Sequence, residues 1–441
     1  MPKKPSEDKT QQKNIGCYGS AVNYSKLKNF LVESFELNAK EEEKGNYSER
    51  FSICIWGWSG IGKTSICRQL ANTPVIWKGK KYDGYKVYYL PLGQIEEMGD
   101  LHGMPEKFVG MCKEGSKDVE WVPIDLVEAM NSKGYTAALH LGQNSVRTFY
   151  APPDWVPTEE GPSILLVDDF NRAGSRIQKG CMQLFQTFGM VSWKLPLGCN
   201  IVLTGNPSGN DFLVTDLDAA MLTRMRHITL DPSVDGGMLE WAAWATAGGI
   251  DGRIISYCLK YPEMMTCGER TNPRTLAEFG RYLNTVGDYS SLSGDAKKQA
   301  TNNIAVHAKS LLEDDTVSSF MTFLDKDLYD IITPEQILAN EPIVKKKLSE
   351  LLSNKGEQRI DVVNIICDRL FAHIIQPTTR ITRENVKNFG DFMKYDKMPK
   401  DLVYNAVMRI YRFGNENKCM EKVSPWICGA GLNDLIVDLL K

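Results

Sequence analysis

A glycine-rich segment at residues 57–64 constrains this chain more than any other feature. It reads GWSGIGKT and matches the pattern G-x-x-x-x-G-K-[ST] in full. The apolar run 51–56 precedes it and a helical pattern over 64–70 follows it, so the order is strand, glycine loop, helix. Glycines let backbone N–H groups turn inward around an anion, and the N-terminus of the next helix adds its dipole to the same site. The segment therefore predicts an α/β domain that binds a nucleotide by its phosphates.

The polar side chains of this loop have separate roles in such a site. Lys63 is expected to reach the β- and γ-phosphates, and the hydroxyl of Thr64 to ligate Mg²⁺. ATP and Mg²⁺ are therefore the predicted cofactors. The residues predicted to bind the nucleotide are Gly57, Ser59, Gly60, Ile61, Gly62, Lys63, Thr64 and Ser65.

The second half of the predicted site is the segment 164–169, which reads ILLVDD. An unbroken apolar run of this kind is typical of a parallel strand buried on both faces, and here it ends in two carboxylates. We expect Asp168 to hold Mg²⁺, directly or through water, together with Thr64. Asp169 would orient and polarise the attacking water. Paired aspartates after a strand often only cap a helix, so this assignment depends on the glycine loop.

The remaining pattern predicts an α/β region followed by a helical one. Further strands are expected at 85–92, 200–203 and 227–230, with helices between them, which favours a parallel sheet covered on both sides. After about residue 231 the strand signals fade, and Thr333 and Gln336 form a capping box ahead of further helices. Helices are predicted at 21–37, 238–247, 254–259, 273–283, 296–312 and 360–374. The predicted divisions are 1–45 (polar tail and N-terminal helix), 46–231 (α/β nucleotide-binding part), 232–312 (helical lid) and 313–441 (C-terminal helical module). The charged run 40–45 is predicted to be either a solvated linker or an extension of the N-terminal helix.

Composition excludes several classes of protein. Lys and Arg number 52 against 55 Asp and Glu, so the net charge of −3 indicates neither a nucleic-acid coat nor an anionic membrane surface. No apolar stretch is long enough to cross a bilayer. The 11 scattered cysteines form no metal-ligand pattern, which favours reduced thiols and a cytoplasmic location.

Several short motifs, taken in order, resemble the MoxR-like branch of the AAA+ ATPases from about Ile15 to about Leu283. Residues 168–173 (DDFNRA) are similar to the family's D-E-x-N-R-A, and residues 203–207 (LTGNP) to its sensor 1. The other similar segments are 100–105 (DLHGMP), 152–155 (PPDW), 217–224 (LDAAMLTR) and 272–276 (NPRTL). The resemblance implies an AAA+ P-loop domain with a parallel sheet between helices, a helical lid and an additional C-terminal helical module.

The resemblance also implies roles in catalysis for residues outside the two carboxylates. Asn206 would contact the water or the γ-phosphate, and Arg274 would contact the γ-phosphate from the lid of the same chain. Arg224 would be the finger that reaches the ATP of a neighbouring subunit, with Arg226 as its rival. Arg172 either bridges subunits or forms a local salt bridge. The chain departs from the family in having Asp169 where Glu is usual, and the shorter carboxylate favours slow hydrolysis.

Three functions are consistent with these residues. The first is a ring-forming ATPase, expected to be a homohexamer, that remodels a protein client; the resemblance implies a partner with a von Willebrand factor A-like domain as one candidate. The second is a nucleic-acid-processing motor, although the insertion at 98–150 mixes acidic and basic residues. The third is an assembly switch with slow turnover. Within the insertion we expect a hairpin around residues 142–144, either structural or in contact with a partner.

Overall fold

The computed structural model describes residues 18–113, 116, 118–207, 219–234, 236–266, 269–287, 289–325, 332–352, 359–376, 379–416 and 419–432. The described residues form two compact units, one within 18–21, 27–58 and 63–230 and the other within 22–26, 59–62 and 231–432. The strands are β1 (Ala21–Val22), β2 (Ser52–Trp56), β3 (Val75–Trp77), β4 (Lys80–Tyr82), β5 (Lys86–Pro91), β6 (Met104–Lys113), β7 (Glu120–Pro123), β8 (Tyr135–Ala137), β9 (Val146–Ala151), β10 (Ser163–Asp168), β11 (Gly189–Met190), β12 (Trp193–Lys194), β13 (Cys199–Gly205) and β14 (Met225–Leu230).

The first unit is built on a six-stranded sheet in the order β1-β14-β2-β13-β10-β5. The pairings from β14 to β5 are all parallel. Strands β2 and β13 are buried along their whole length, which explains why they contain the unbroken apolar runs 53–56 and 201–203 rather than an alternating pattern. The five predicted strands and the parallel sheet are confirmed. Since parallel strands end at one edge, the sheet brings the ends of β2, β10 and β13 together.

Helices cover this sheet, and the first of them ends at Glu43 rather than at the predicted residue 37. The helices are α1 (Tyr24–Glu43), α2 (Lys63–Gln69), α3 (Met98–His102), α4 (Val127–Asn131), α5 (Ser175–Thr187) and α6 (Ala219–Leu222). Of the two alternatives for the charged run 40–45, extension of the helix is observed as far as Glu43, where α1 ends. Glu42 is buried, forms a 2.5 Å ion pair with Arg50 and accepts a 2.9 Å hydrogen bond from the Gly198 N–H.

The insertion forms a second, antiparallel sheet, in which β6 pairs with β7, β8 and β9. The expected hairpin at 142–144 is wrong: a 3-10 segment, Leu139–Ser145, joins β8 to β9, and both strands pair with β6 instead of with each other. At the base of this sheet the indole of Trp155 donates a 3.1 Å hydrogen bond to the Asp100 carbonyl. Two of the short motifs quoted above therefore meet in the folded chain.

The second unit is helical. Its helices are α7 (Gly237–Ala247), α8 (Gly252–Lys260), α9 (Pro273–Val286), α10 (Gly294–Leu311), α11 (Asp314–Asp325), α12 (Pro334–Leu338), α13 (Pro342–Leu351), α14 (Ile360–Ile374), α15 (Arg383–Met393), α16 (Lys400–Glu416) and α17 (Met420–Ser424). One hydrophobic core runs from Trp241 to Leu432 and contains both the predicted lid and the predicted C-terminal module. The capping box at Thr333 is confirmed, and Asn272 forms another at the start of α9. None of the helices in the described ranges has the length and hydropathy that a membrane span requires.

Candidate active site

The glycine loop joins β2 to α2, as the motif predicts. Lys63 begins α2 and is 7% exposed. Its ammonium group donates to the carbonyls of Gly57 and Trp58 at 2.7 and 2.9 Å. These two bonds fold the lysine back along the loop and fix the position of its positive charge.

The loop adopts backbone angles that favour glycine. Gly60 has a φ of +78° and Gly62 a φ of +102°, in a region where side chains with a Cβ are strained. A Cβ at Gly60 would also lie 2.2 Å from Oδ1 of Asn272, the N-cap residue of α9 in the second unit, to which Gly60 itself belongs. Within that unit Tyr24 donates a 3.0 Å hydrogen bond to the Ile61 carbonyl. The tip of the loop therefore lies close to Asn272 and is bonded by Tyr24.

Asp168, at the end of β10, accepts hydrogen bonds through both carboxylate oxygens. Thr64 donates to Oδ1 at 3.0 Å, and Thr204 donates to the same oxygen. Tyr89 of the edge strand β5 donates to Oδ2 at 2.9 Å. Burial, and then the bond to Asp168, raises the pKa of the Tyr89 phenol, so this group remains a donor. The structure thus brings Thr64 and Asp168 together, as predicted for the metal site.

The residues present are suited to Mg²⁺. The Thr64 hydroxyl and the Asp168 carboxylate supply hard oxygen ligands, and Mg²⁺ is usually held by one or two such protein groups together with substrate phosphates and water. Cys67, one turn further along α2, is fully buried, and burial raises the pKa of its thiol to about 12. A thiolate ligand or nucleophile at that position is therefore excluded at neutral pH.

Asp169 is linked to Lys63 through a single side chain. The amide of Asn206 donates to Asp169 Oδ1 at 2.9 Å and accepts from Lys63 Nζ at 3.0 Å. Asp169 has left-handed backbone angles, with φ 52° and ψ 41°, which is uncommon for a residue other than glycine. Strained backbone of this kind clusters at functional sites. The structure therefore brings the predicted base, sensor and phosphate-binding lysine into one connected group.

Asn171 holds Asn206 in place. Its side chain donates to the Asn206 carbonyl at 2.7 Å and accepts from the Asn206 N–H at 3.1 Å, and both residues are 1% exposed. Arg172 lies 3.6 Å from Asp169 in a half-exposed ion pair. Of the two alternatives for Arg172, the local salt bridge is observed. A pair so exposed contributes little to stability.

The three other predicted arginines make different contacts. Arg224 donates to the Gln186 side chain at 3.0 Å and to the Ala220 carbonyl at 2.5 Å, and not, among the described contacts, to either aspartate. The Arg226 guanidinium stacks 3.3 Å from the centre of the Phe51 ring. Arg274 is exposed in the first turn of α9, in the second unit. Residues 217 and 218 of the finger motif lie outside the described residues.

Comparisons with known proteins find distant likenesses in solved structures. A mutant of RuvB from Thermotoga maritima is 12% identical, over 71% of this chain and 75% of that one, with a TM-score of 0.30. PCH-2 of C. elegans is 16% identical, over 69% of this chain and 68% of that one, with a TM-score of 0.29. No protein-family model and no curated protein matches the chain.

The chain has an α/β fold of the P-loop type. Its parallel sheet carries the glycine loop after β2, the paired carboxylates after β10 and Asn206 after β13. The helical second unit contains the residues of the predicted lid and of the predicted C-terminal module in one hydrophobic core.

Sequence reasoning missed three residues of the site. Thr204 and Tyr89 both bond Asp168, and Asn171 clasps Asn206. Asn171 and Thr204 lie inside quoted motifs, so their position was a usable signal. Tyr89 has no local signal. Its place follows from the pairing of Tyr89 with Leu166, which sets it beside the end of β10.

Proposed function

We propose that this protein binds Mg-ATP and hydrolyses it as a ring-forming AAA+ ATPase that remodels a protein partner. The observation that carries the proposal is the connected group in which Asn206 joins Lys63 to Asp169, beside the Thr64–Asp168 pair. Phosphoryl transfer needs positioning and charge stabilisation more than covalent chemistry from the protein. A cation, a metal-ligand pair and a base at one sheet edge meet that need.

ATP binding is assigned to the loop residues predicted above, with Lys63 on the β- and γ-phosphates and Thr64 and Asp168 on the metal. When bound, Mg²⁺ would neutralise the charge on the phosphate oxygens. Lys63 now donates to Asn206, and a γ-phosphate oxygen could take over that donor. Exchange of this bond would free the Asn206 oxygen for the attacking water.

Hydrolysis is assigned to Asp169, Asn206, Arg224 and Arg274. Asp169 would accept a proton from water, and the hydrogen bond from Asn206 keeps its carboxylate oriented toward the end of the sheet. Arg224 would stabilise the transition-state charge on the ATP of the next subunit. Arg274 would act from the lid of the same chain. These roles of Arg224 and Arg274 follow from the family motifs.

The finer assignment is to the MoxR-like branch, with a homohexameric ring in the cytoplasm. Its support is the order of motifs and the meeting of two of them at Trp155 and Asp100. The client would be a protein, with a von Willebrand factor A-like partner as one candidate. The four-stranded insertion sheet is an element through which such a client could be gripped.

A nucleic-acid-processing motor is the second candidate, and one observation favours it. The β3–β4 hairpin carries Lys78, Lys80 and Lys81 beside Trp77 and Tyr82, with cation–ring distances of 4.4 Å for Lys78 and 5.3 Å for Lys80. Basic side chains next to aromatic rings are typical of single-strand binding. Lys78 is also paired with an acidic residue, which weakens this case. Single-stranded DNA should stimulate hydrolysis only if this candidate is right.

A slow assembly switch is the third candidate, favoured by the short carboxylate of Asp169 in its strained backbone. Steady-state ATP hydrolysis against protein concentration, with sedimentation in parallel, separates it from the first proposal. We expect turnover per subunit to rise with a ring-sized species, to collapse in Arg224→Ala with ATP still bound, and to persist in Arg226→Ala. A rate independent of concentration, or an active Arg224→Ala, would reject the shared-site ATPase. Assembly driven by ATP with negligible turnover would favour the switch.

A further inference from the structure

Trp56 is the last residue of β2 and directly precedes Gly57. Its indole is 1% exposed and packs edge-on against Phe170, with ring centroids 5.7 Å apart. A Cβ at Gly205 would lie 2.9 Å from both rings, so the backbone before the sensor asparagine approaches them closely. The indole of Trp56 therefore lies next to three motifs. It directly precedes the glycine loop, it packs against Phe170 after the paired carboxylates, and it lies close to Gly205 before the sensor asparagine.

The indole N–H donates a 2.9 Å hydrogen bond to Nδ1 of His227 in β14. The other imidazole nitrogen of His227, Nε2, lies 2.7 Å from the carbonyl oxygen of Leu222. An indole nitrogen can only donate, so Nδ1 must be the acceptor, and the imidazole proton is on Nε2, where it bonds Leu222. This network assigns one neutral tautomer to His227, with an acceptor at one end and a donor at the other.

Leu222 is the last residue of α6, and Arg224 follows two residues later. The Arg224 N–H donates to the Met221 carbonyl at 3.1 Å, and its guanidinium donates to the Ala220 carbonyl at 2.5 Å. Arg224 is thus fastened to the short helix whose final carbonyl His227 holds. A displacement of that helix would carry the guanidinium with it.

We infer that His227 is a positioning residue that ties the segment bearing Arg224 to the end of β2, next to the nucleotide loop. This inference rests on the proposed function, in which Arg224 serves the ATP of a neighbouring subunit. A change of the loop on nucleotide binding would reach Arg224 through Trp56, His227 and Leu222. The nucleotide site of one subunit would thereby set the finger that acts on the next.

Packing alone is the competing explanation, because the Tyr18 ring packs at a tilt against both Trp56 and His227, at centroid distances of 5.0 and 5.5 Å. Two substitutions separate the explanations. His227→Phe keeps an aromatic ring against Tyr18 but loses both hydrogen bonds. His227→Gln loses the ring but offers an amide with an acceptor and a donor for the same two partners.

The test measures turnover and the affinity for a fluorescent ATP analogue in the full-length protein, at concentrations where the ring is assembled. We expect His227→Phe to bind the analogue as the wild type does and to turn over about tenfold more slowly, because a less well positioned Arg224 would lose transition-state stabilisation about equal to one hydrogen bond. His227→Gln should restore most of the rate. Combining His227→Phe with Arg224→Ala should give no further loss beyond Arg224→Ala alone, because both changes act on the same guanidinium.

Trp56→Phe, which removes the donor, should resemble His227→Phe. Trp193→Phe is the matched control, since it removes a buried indole N–H that donates to the His102 carbonyl at 3.0 Å elsewhere in the unit, and it should leave turnover unchanged. Three outcomes would overturn the inference if Arg224→Ala itself turned over slowly. They are a residual turnover of the double variant below that of Arg224→Ala, a normal turnover of His227→Phe, and no rescue of turnover by His227→Gln. If the wild type does not hydrolyse ATP, or Arg224→Ala is fully active, the proposed function fails and the inference fails with it.

Discussion

The side-chain amide of Asn206 donates a 2.9 Å hydrogen bond to the carboxylate of Asp169 and accepts one from Lys63 at 3.0 Å. An amide is suited to this place because it carries a donor and an acceptor on one rigid plane. The proposed catalytic carboxylate and the proposed phosphate-binding lysine therefore share a neighbour. A change in the hydrogen bonds of Lys63 would therefore alter the hydrogen bonding of Asp169 through Asn206.

Replacing Asn206 with aspartate should disable turnover. The new carboxylate would face Asp169 at hydrogen-bond distance and remove the donor that orients it. We expect kcat to fall by about 10²-fold or more, with ATP still bound through the glycine loop. Steady-state kinetics and an equilibrium titration with a fluorescent ATP analogue check both parts.

Asn200 provides the control for that variant, on the opposite end of β13. It is 5% exposed and accepts a 2.9 Å hydrogen bond from Asn38. Asn200→Ala should lower the free energy of unfolding by about 1–3 kcal/mol while the folded protein keeps its kcat. Equal losses of kcat in the Asn200 and Asn206 variants would indicate a general disturbance of the strand.

Asp169→Asn should preserve the fold and remove the base. Asparagine tolerates the left-handed backbone seen at this position, where φ is 52°. Its side-chain oxygen can still accept from Asn206, but it cannot take a proton from water. We expect kcat to fall by about 10²–10⁴-fold with unchanged ATP affinity and unchanged ring assembly. Residual turnover near the wild-type rate would show that another group activates the water.

Gly60→Ala should damage both the nucleotide loop and the start of α9. The added Cβ would lie 2.2 Å from Asn272 Oδ1, which accepts hydrogen bonds from the N–H groups of Arg274 and Thr275. Loss of such a cap lowers the free energy of unfolding by about 1 kcal/mol, and a side chain in the left-handed backbone region lowers it by about a further 1–2 kcal/mol. Calorimetric unfolding and an ATP-analogue titration should therefore both show the loss.

Gly249→Ala isolates the backbone contribution in the same unit. Gly249 has a φ of +67° and open space around its added Cβ. The Gly249→Ala variant should lose only about 1–2 kcal/mol of its free energy of unfolding and should keep full ATP affinity. If Gly60→Ala behaves the same way, the contact with Asn272 has no role in binding.

The sequence predicts those parts of the site that lie at the ends of strands. The glycine loop, Asp168 and Asn206 each follow a buried apolar strand, and parallel strands deliver such residues to one edge. The contacts that escaped prediction join residues far apart in the chain. Tyr89 reaches Asp168 only through the register of an edge strand, and His227 reaches Trp56 from the opposite side of β2.

The strand pairing of the insertion and the end of α1 escape prediction for related reasons. A turn signal at 142–144 cannot tell whether its flanking strands pair with each other, and both in fact pair with the ten-residue strand β6. The sequence cannot decide whether the charged run after residue 40 is a solvated linker or part of the helix, because nothing local marks Glu42 for burial. Its partners, Arg50 and the Gly198 N–H, lie outside the run.

Tyr24→Phe should change the dependence of stability on alkaline pH. Burial, and then the charges of Glu240 and Asp231, raises the pKa of the Tyr24 phenol in the folded state well above its unfolded value of about 10. The folded protein therefore keeps this proton while the unfolded chain loses it, so the stabilisation is complete below about pH 10 and is lost as the pH rises further. At neutral pH the variant should lose about 1 kcal/mol with the hydrogen bond to Ile61. Urea unfolding between about pH 8 and pH 12 should then show the wild-type advantage shrinking by up to about 1.4 kcal/mol per pH unit above pH 10. Parallel curves for the two proteins would mean that Tyr24 ionises equally in both states and is not enclosed beside the nucleotide loop.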